Sequence, residues 1–124
     1  MATWNYFADE EVRGLDTELV AMLDKARHRA GISFVITDGL RTPDTNTDPN
    51  AVKDSAHLKG LAVDLRCHDS HSLWKILDGF YSVGFKRIGI YVQKTDGDVL
   101  LPTHLHIDTD LTKPQEVVFL RKEK

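Results

Sequence analysis

The chain has little cysteine, no long apolar run and no surplus of positive charge. Its single cysteine, Cys67, cannot form an internal disulfide, so stability must come from packing or from a bound ion. No apolar stretch approaches the roughly 20 residues that a membrane-spanning helix requires, so we expect no membrane segment. The formal net charge is −3, and Lys and Arg are scattered along the chain. This balance argues against nucleic acid as a partner.

Two further absences narrow the class of protein. The N-terminal stretch MATWNYFADEEVRG has neither the basic segment nor the apolar segment of a secretory leader, so we expect no signal peptide. No glycine-rich phosphate loop follows a predicted strand, which disfavours a nucleotide-binding α/β fold. A length of 124 residues suits one domain, residues 1–124, with one hydrophobic core, and we expect a monomer.

Apolar residues at helical spacing predict two helices. The first is capped by Asp16 and ends at Gly31, and the second is capped by Asp69 or Ser70 and ends at Gly84. The first helix should leave a solvated face that carries Glu18, Asp24, Lys25, Arg27, His28 and Arg29. The second should bury an apolar stripe in the core. The residues of this stripe are Leu73, Trp74, Ile76, Leu77, Phe80 and Tyr81.

Short β-branched and apolar runs predict the strands. They are ISFVIT (Ile32 to Thr37), LAVDLR, RIGIYV, and a ribbon of VLLP and THLHID after a turn at Asp96-Gly97, while EVVFL forms a last strand or a docking tail. The polar loop from Asp38 to Ser55 is long enough to be functional or disordered. The pattern predicts an α+β fold with a mostly antiparallel sheet and helices packed on one face.

The segment THLHID alternates strictly between two kinds of residue. On a strand, His104, His106 and Asp108 point to one side while Leu105 and Ile107 point to the other. If the leucine and isoleucine are buried, the histidines face solvent, a cleft or a metal.

The segment SAHLKGLAVDL places His57 seven residues before Asp64. An ionised carboxylate inside an apolar strand requires a partner, which is either an arginine, Arg41 or Arg66, or a divalent cation. Two histidines and one carboxylate, with the fourth position left to water, form the ligand set of a catalytic zinc site. His57, Asp64 and His106 would be that set, and zinc chemistry suits the hydrolysis of an amide.

A rival metal site is formed by Cys67, His68 and His71, which also lie at short spacing. We favour it less, because no second cysteine supports it and the two histidines suit the polar start of a helix. Cys67 is then expected to be a small buried side chain.

The segments SAHLKGLAVDL and HLHID together resemble the zinc-binding pattern of the M15 family of D-alanyl-D-alanine and L-alanyl-D-glutamate peptidases. These enzymes share a fold with the hedgehog signalling domain and with the HxH murein endopeptidases. The stretch ITDGLRTPDTN is similar to the family segment that precedes the first histidine, and the resemblance extends from about Phe7 to Asp108 in the family's order.

The resemblance implies a role for each matching residue. His57, Asp64 and His106 bind Zn²⁺, Arg41 holds a substrate carboxylate or the developing oxyanion, and Ser55 orients the loop or contacts substrate. Many relatives have an acid three residues before the last ligand, where this chain has Thr103. His104 is therefore the candidate for proton transfer, and Asp108 would orient His104 or His106.

The resulting hypothesis is a zinc-dependent peptidase acting on peptidoglycan stem or cross-link peptides, as a carboxypeptidase or an endopeptidase. The expected setting is phage-encoded cell-wall lysis, with action after release or as a virion component. Two other interpretations stay open at this point. One is a non-catalytic zinc-binding domain of the same fold, used for stability or partner binding, and the other is a metal-free domain in which Asp64 pairs with Arg41.

Overall fold

A five-stranded sheet organises the part of the chain that the computed structural model describes, residues 4–39 and 55–123. The strands in chain order are β1 (Ile36–Asp38), β2 (Ala62–Arg66), β3 (Arg87–Lys94), β4 (Leu100–Asp108) and β5 (Val117–Lys122). Their order across the sheet is β1-β2-β4-β3-β5. The pairs β1·β2, β2·β4 and β3·β4 are antiparallel, whereas β5 pairs parallel to β3. The predicted mostly antiparallel α+β fold is confirmed.

The two faces of the sheet differ in chemistry. Side chains of β2, β3 and β4 on one face pack with two helices, α1 (Thr17–Ala30) and α2 (Ser70–Ser82), in a single hydrophobic core. Leu65, Leu105 and Ile107 are fully buried in that core. Alternation along a strand therefore directs the intervening polar residues to the opposite face, away from the helices. The candidate site lies on that face.

Helix α1 begins and ends where the sequence predicts. The Asp16 side chain accepts a hydrogen bond from the backbone N–H of Leu19, and Gly31 closes the helix in the left-handed region at φ +72°. His28 is exposed, as expected. The prediction for Asp24 is wrong, because its side chain is buried and accepts the backbone N–H groups of Asn5 and Tyr6. These bonds compensate the burial of the carboxylate.

Helix α2 is capped by Asp69, which accepts the backbone N–H of Ser72 at 2.7 Å, and Gly84 follows its last turn. Its predicted apolar stripe is only partly correct, because Trp74 and Tyr81 are 67% and 58% exposed. At 100° per residue these two side chains lie about 100° from the centre of the stripe formed by Leu73, Ile76, Leu77 and Phe80, so they miss the core.

The helices approach each other closely at one glycine. A Cβ atom on Gly79 of α2 would lie 2.5 Å from the carbonyl oxygen of Ala26 in α1. Only glycine allows the two backbones this contact.

The strand predictions need two corrections. The first strand covers only Ile36–Asp38 rather than Ile32 to Thr37, because its ladder to β2 contains only the partners Leu65 and Asp64, with an irregularity between them. VLLP and THLHID form one continuous strand, β4, after the turn that Thr95 closes by donating its N–H to the carbonyl of Val99. The segment EVVFL contributes to β5, so it is a strand and not a docking tail.

Within the described ranges, none of the helices is long and apolar enough to cross a membrane. Most of the predicted loop between Asp38 and Ser55, including Arg41, lies outside the described residues.

Candidate metal centre

Strand β4 carries His104 and His106, and an irregularity in its pairing with β3 determines the face on which they lie. Tyr91 of β3 pairs with His104 and Val92 pairs with Pro102, so Thr103 is an extra residue that bulges from the ladder. Pro102 and Leu105 are consequently both buried. From His104 onward the alternation follows the prediction, with Leu105 and Ile107 in the core and His104, His106 and Asp108 on the opposite face.

His57 lies in a short 3₁₀ helix, Ala56–Lys59, that was not predicted from the sequence. Ser55 caps it by accepting the backbone N–H of His57 at 3.2 Å. Gly60 ends it at φ +72°, and a Cβ there would lie 2.6 Å from the carbonyl oxygen of Gly14. Any other residue would be strained at this position and would clash with backbone, so Gly60 is required for the turn that holds His57.

The ring of His57 has a defined orientation. Its side chain is buried, and its Nδ1 lies 2.9 Å from the carbonyl oxygen of Gly39. A carbonyl oxygen only accepts hydrogen bonds, so Nδ1 carries the proton in the neutral ring. The lone pair is then on Nε2, which points at Asp64 across 3.2 Å. A histidine held in this way offers Nε2 as a metal ligand.

Asp64 and His106 face each other across β2 and β4, where they are directly paired in the ladder. The Oδ1 atom of Asp64 lies 3.1 Å from Nδ1 of His106 and 3.2 Å from Nε2 of His57. One ligand atom from each of the three side chains falls within 4.8 Å of the other two. Three donor atoms from two strands and a 3₁₀ helix therefore converge on one point.

Asp108 orients the ring of His106 from the other side. Its Oδ2 lies 2.6 Å from Nε2 of His106 and accepts a hydrogen bond from Nε of Arg87 at 3.0 Å. The Asp108 side chain is buried, and its Oδ1 accepts the backbone N–H of Asp110. Because a carboxylate acceptor requires the proton on Nε2, the neutral ring of His106 has its lone pair on Nδ1, towards Asp64.

The electrostatics of this cluster favour an anionic Asp64. Burial raises the pKa of Asp64, but when the rings of His106 and His57 are protonated on both nitrogens, their hydrogen bonds and positive charges outweigh burial and hold the pKa well below its usual range. Burial likewise lowers the pKa of His106, but hydrogen bonds to Asp108 and Asp64 outweigh it, so the pKa is raised. When it is protonated, His106 compensates the charges of two carboxylates, which a bound cation would compensate in its place.

His104 lies beside the three-residue group. Its ring stacks on Tyr91 with centroids 4.1 Å apart and planes 20° apart, and its Nε2 is 4.0 Å from Oδ2 of Asp64. Its Nδ1 is 3.5 Å from Oε2 of Glu123. The structure thus brings five predicted site residues into one cluster, namely His57, Asp64, His104, His106 and Asp108, with Ser55 at the turn that presents His57.

The rival cluster does not form in the described part of the chain. Cys67 is buried as expected, but His68 and His71 are exposed, and the group of His57, Asp64 and His106 is the one that satisfies metal-binding geometry there. Three residues that contact the cluster were not predicted from the sequence, namely Arg87, Tyr91 and Glu123. Their roles arise from strand pairing between distant segments, so no local pattern signals them.

Two imidazoles and a carboxylate that converge in this way match the ligand set of one class of site, the catalytic zinc site with three protein ligands. Consistent with that class, the chain matches the model of the Peptidase M15 family over residues 5–108, and it belongs to that family. Peptidases of this family depend on zinc. Comparisons with curated proteins and with solved structures returned no significant match.

Proposed function

We propose that this protein is a zinc-dependent peptidase that hydrolyses peptide bonds in the stem or cross-link peptides of peptidoglycan. The observation that carries the proposal is the convergence of the His57, Asp64 and His106 donor atoms within 4.8 Å of one another. Membership of the Peptidase M15 family supports the peptidase class, and the resemblance of SAHLKGLAVDL and HLHID to wall-peptidase motifs supports the substrate class.

The donor set fits zinc. In the neutral rings, Nε2 of His57 and Nδ1 of His106 carry the lone pairs, because the other nitrogen of each ring donates its hydrogen to Gly39 or to Asp108. Asp64 is ionised. Imidazole nitrogen and carboxylate oxygen are both zinc ligands, and a set of three protein ligands is typical of catalytic sites, whereas structural sites use four. Bound there, zinc would polarise the peptide carbonyl and lower the pKa of a water to about 7.

The surrounding residues supply orientation and proton transfer. Asp108, held by Arg87, keeps the ring of His106 in one orientation and one tautomer. His104 would accept or donate a proton at Nε2, which faces the three candidate ligands. Tyr91 stacks on the His104 ring and would keep the plane of that ring in place. The assignment of proton transfer to His104 rests on this position and on the presence of Thr103 where many relatives have an acid.

Two further roles come from the resemblance. Arg41 would hold a substrate carboxylate or the developing oxyanion, and Ser55 would orient the loop at His57, whose backbone N–H it accepts, or contact substrate. The biological setting that we propose is cell-wall lysis by a phage, with the protein acting as an endolysin or as a virion component.

The test combines metal analysis with mass spectrometry of digested peptidoglycan. We expect stoichiometric zinc, new amino groups in the digest, and masses that identify the cleaved bond. The variant His104→Ala should keep zinc and lose most of the activity. Its control is His68→Ala, because His68 is exposed and lies outside the cluster.

The same experiment separates the proposal from its alternative. A zinc-containing protein that releases no amino groups, and in which His104→Ala changes nothing, would be a zinc-binding domain without catalytic function. A protein that binds no zinc would overturn both.

A further inference from the structure

The C-terminal strand brings a carboxylate to His104. Strand β5 runs parallel to β3, with Arg121 paired to Tyr91 and Lys122 paired to Val92. Glu123 follows directly, and its backbone N–H donates to the carbonyl of Val92 at 2.7 Å. Because Val92 lies where β4 bulges, this hydrogen bond places Glu123 beside Thr103 and His104.

The side chain of Glu123 contacts the two residues of the bulge. Its Oε2 lies 3.4 Å from Oγ1 of Thr103 and 3.5 Å from Nδ1 of His104. The Thr103 hydroxyl can donate to this carboxylate, and the imidazole Nδ1–H can do the same. The 3.5 Å contact is an ion-pair distance rather than a formed hydrogen bond, and catalytic hydrogen bonds that are long in a free protein commonly tighten once substrate is bound.

The two ring nitrogens of His104 therefore face different partners. Nδ1 faces Oε2 of Glu123 and Oγ1 of Thr103, which is 3.4 Å away, whereas Nε2 faces the metal-ligand group and is 4.0 Å from Oδ2 of Asp64. A neutral imidazole carries one proton, and the hydrogen bond made by one nitrogen determines which nitrogen carries it. Competition between Glu123 and Asp64 for that proton sets the tautomer.

We propose that Glu123 is a positioning residue for His104. By accepting the Nδ1–H bond, it holds the proton on Nδ1 and leaves the lone pair of Nε2 directed at the reacting centre. Tyr91 stacks against the His104 ring and fixes the plane of the ring. Glu123 then fixes the rotation within that plane and the tautomer.

This arrangement depends on a segment that the family match does not cover. The match ends at residue 108, whereas β5 and Glu123 lie beyond it. The C-terminal segment thus completes the surroundings of His104 by pairing with the free edge of β3.

The first test reads the tautomer and needs no activity. Imidazole ¹⁵N chemical shifts are measured in the zinc-loaded protein, with the His104 signals assigned by their loss in His104→Ala. We expect the Nδ1–H tautomer in the wild-type protein and a shift of population towards Nε2–H in Glu123→Ala. A wild-type ring protonated on Nε2, or the same tautomer in both proteins, would overturn the proposal.

The second test reads turnover, and this part rests on the proposed function. Removing Glu123 should lower kcat by about ten- to hundredfold, the usual effect of losing a residue that orients a catalytic group. KM, zinc content and thermal stability should be unchanged, because Glu123 contacts none of the three ligands. Glu123→Gln, which keeps an acceptor oxygen, should restore part of kcat.

Glu116→Gln is the matched control, since Glu116 is an exposed carboxylate in the same segment. A loss of zinc or of thermal stability that accounts for the lost activity would show a structural role and refute positioning. If the wild-type protein has no peptidase activity, the proposed function fails, and the tautomer comparison still decides the role of Glu123.

Discussion

The contact between Asp108 and His106 offers the sharpest test of the proposed metal centre. The perturbation is Asp108→Asn, which keeps the size of the side chain and removes its charge. In the protein, Oδ2 of Asp108 accepts hydrogen bonds from Nε2 of His106 and from Nε of Arg87. Its Oδ1 accepts a hydrogen bond from the backbone N–H of Asp110. Asparagine has one acceptor oxygen, so it cannot satisfy all three groups.

Two effects of different size follow from this substitution. The loss of the orienting carboxylate should weaken zinc binding by about ten- to hundredfold, which is about 1.4 to 2.7 kcal/mol. The loss of a buried charge partner for Arg87 should destabilise the fold by about 3–5 kcal/mol. A domain of this size is stable by about 5–15 kcal/mol, so enough folded protein should remain to measure binding.

The assay is zinc affinity by competition with a chromogenic chelator, together with urea unfolding of the metal-free protein. Asp96→Asn serves as the control, because Asp96 is an exposed turn residue and Asn-Gly also suits the hairpin. A folded Asp108→Asn protein that binds zinc within about twofold of wild type, well short of the usual effect, would show that His106 does not present Nδ1 to the metal.

Three further predictions concern zinc, acid and helix packing. Zinc at a hundredfold excess over its Kd should raise the free energy of unfolding by about 2.7 kcal/mol. The Asp64→Ala substitution should abolish this increase. An equal increase in the variant would show that the metal binds elsewhere. Burial raises the pKa of Asp110, but hydrogen bonds from Thr112 and Lys59 outweigh it and lower the pKa from 3.8 to about 2. Its ionised form therefore contributes stability above pH 3.8 that is lost as the pH falls through about 2. Urea midpoints should depend less on pH in that range for Asp110→Asn, and an unchanged slope would contradict this. Gly79→Ala should destabilise the protein by about 1–3 kcal/mol in urea unfolding, because the new methyl group meets the backbone of Ala26; a more stable variant would show that the helices are not in this contact.

Several features of the fold follow from local sequence. Asp16 and Asp69 cap helices because their side chains satisfy backbone N–H groups within three residues of themselves. The alternation from His104 to Asp108 predicts which side chains share a face, because the pleat of a strand has a period of two residues. An aspartate between Val63 and Leu65 indicates a buried charge that requires a partner.

Other features of the same elements depend on packing. Asp24 has the spacing of a solvated helix position, but the N-terminal segment lies over it and donates two backbone N–H groups. Trp74 and Tyr81 have the composition of a core stripe, but they stay exposed because they lie to one side of it.

For the candidate site, the sequence by itself determined the types of candidate ligand and the face on which the HxH pair lies. Only the tertiary structure decided that Asp64 pairs directly with His106, that Thr103 bulges, and that β5 joins the edge of β3 and carries Glu123 to His104. The physical reason is range. Caps and pleats depend on neighbours within a few residues, whereas strand order and register depend on contacts between segments that are tens of residues apart.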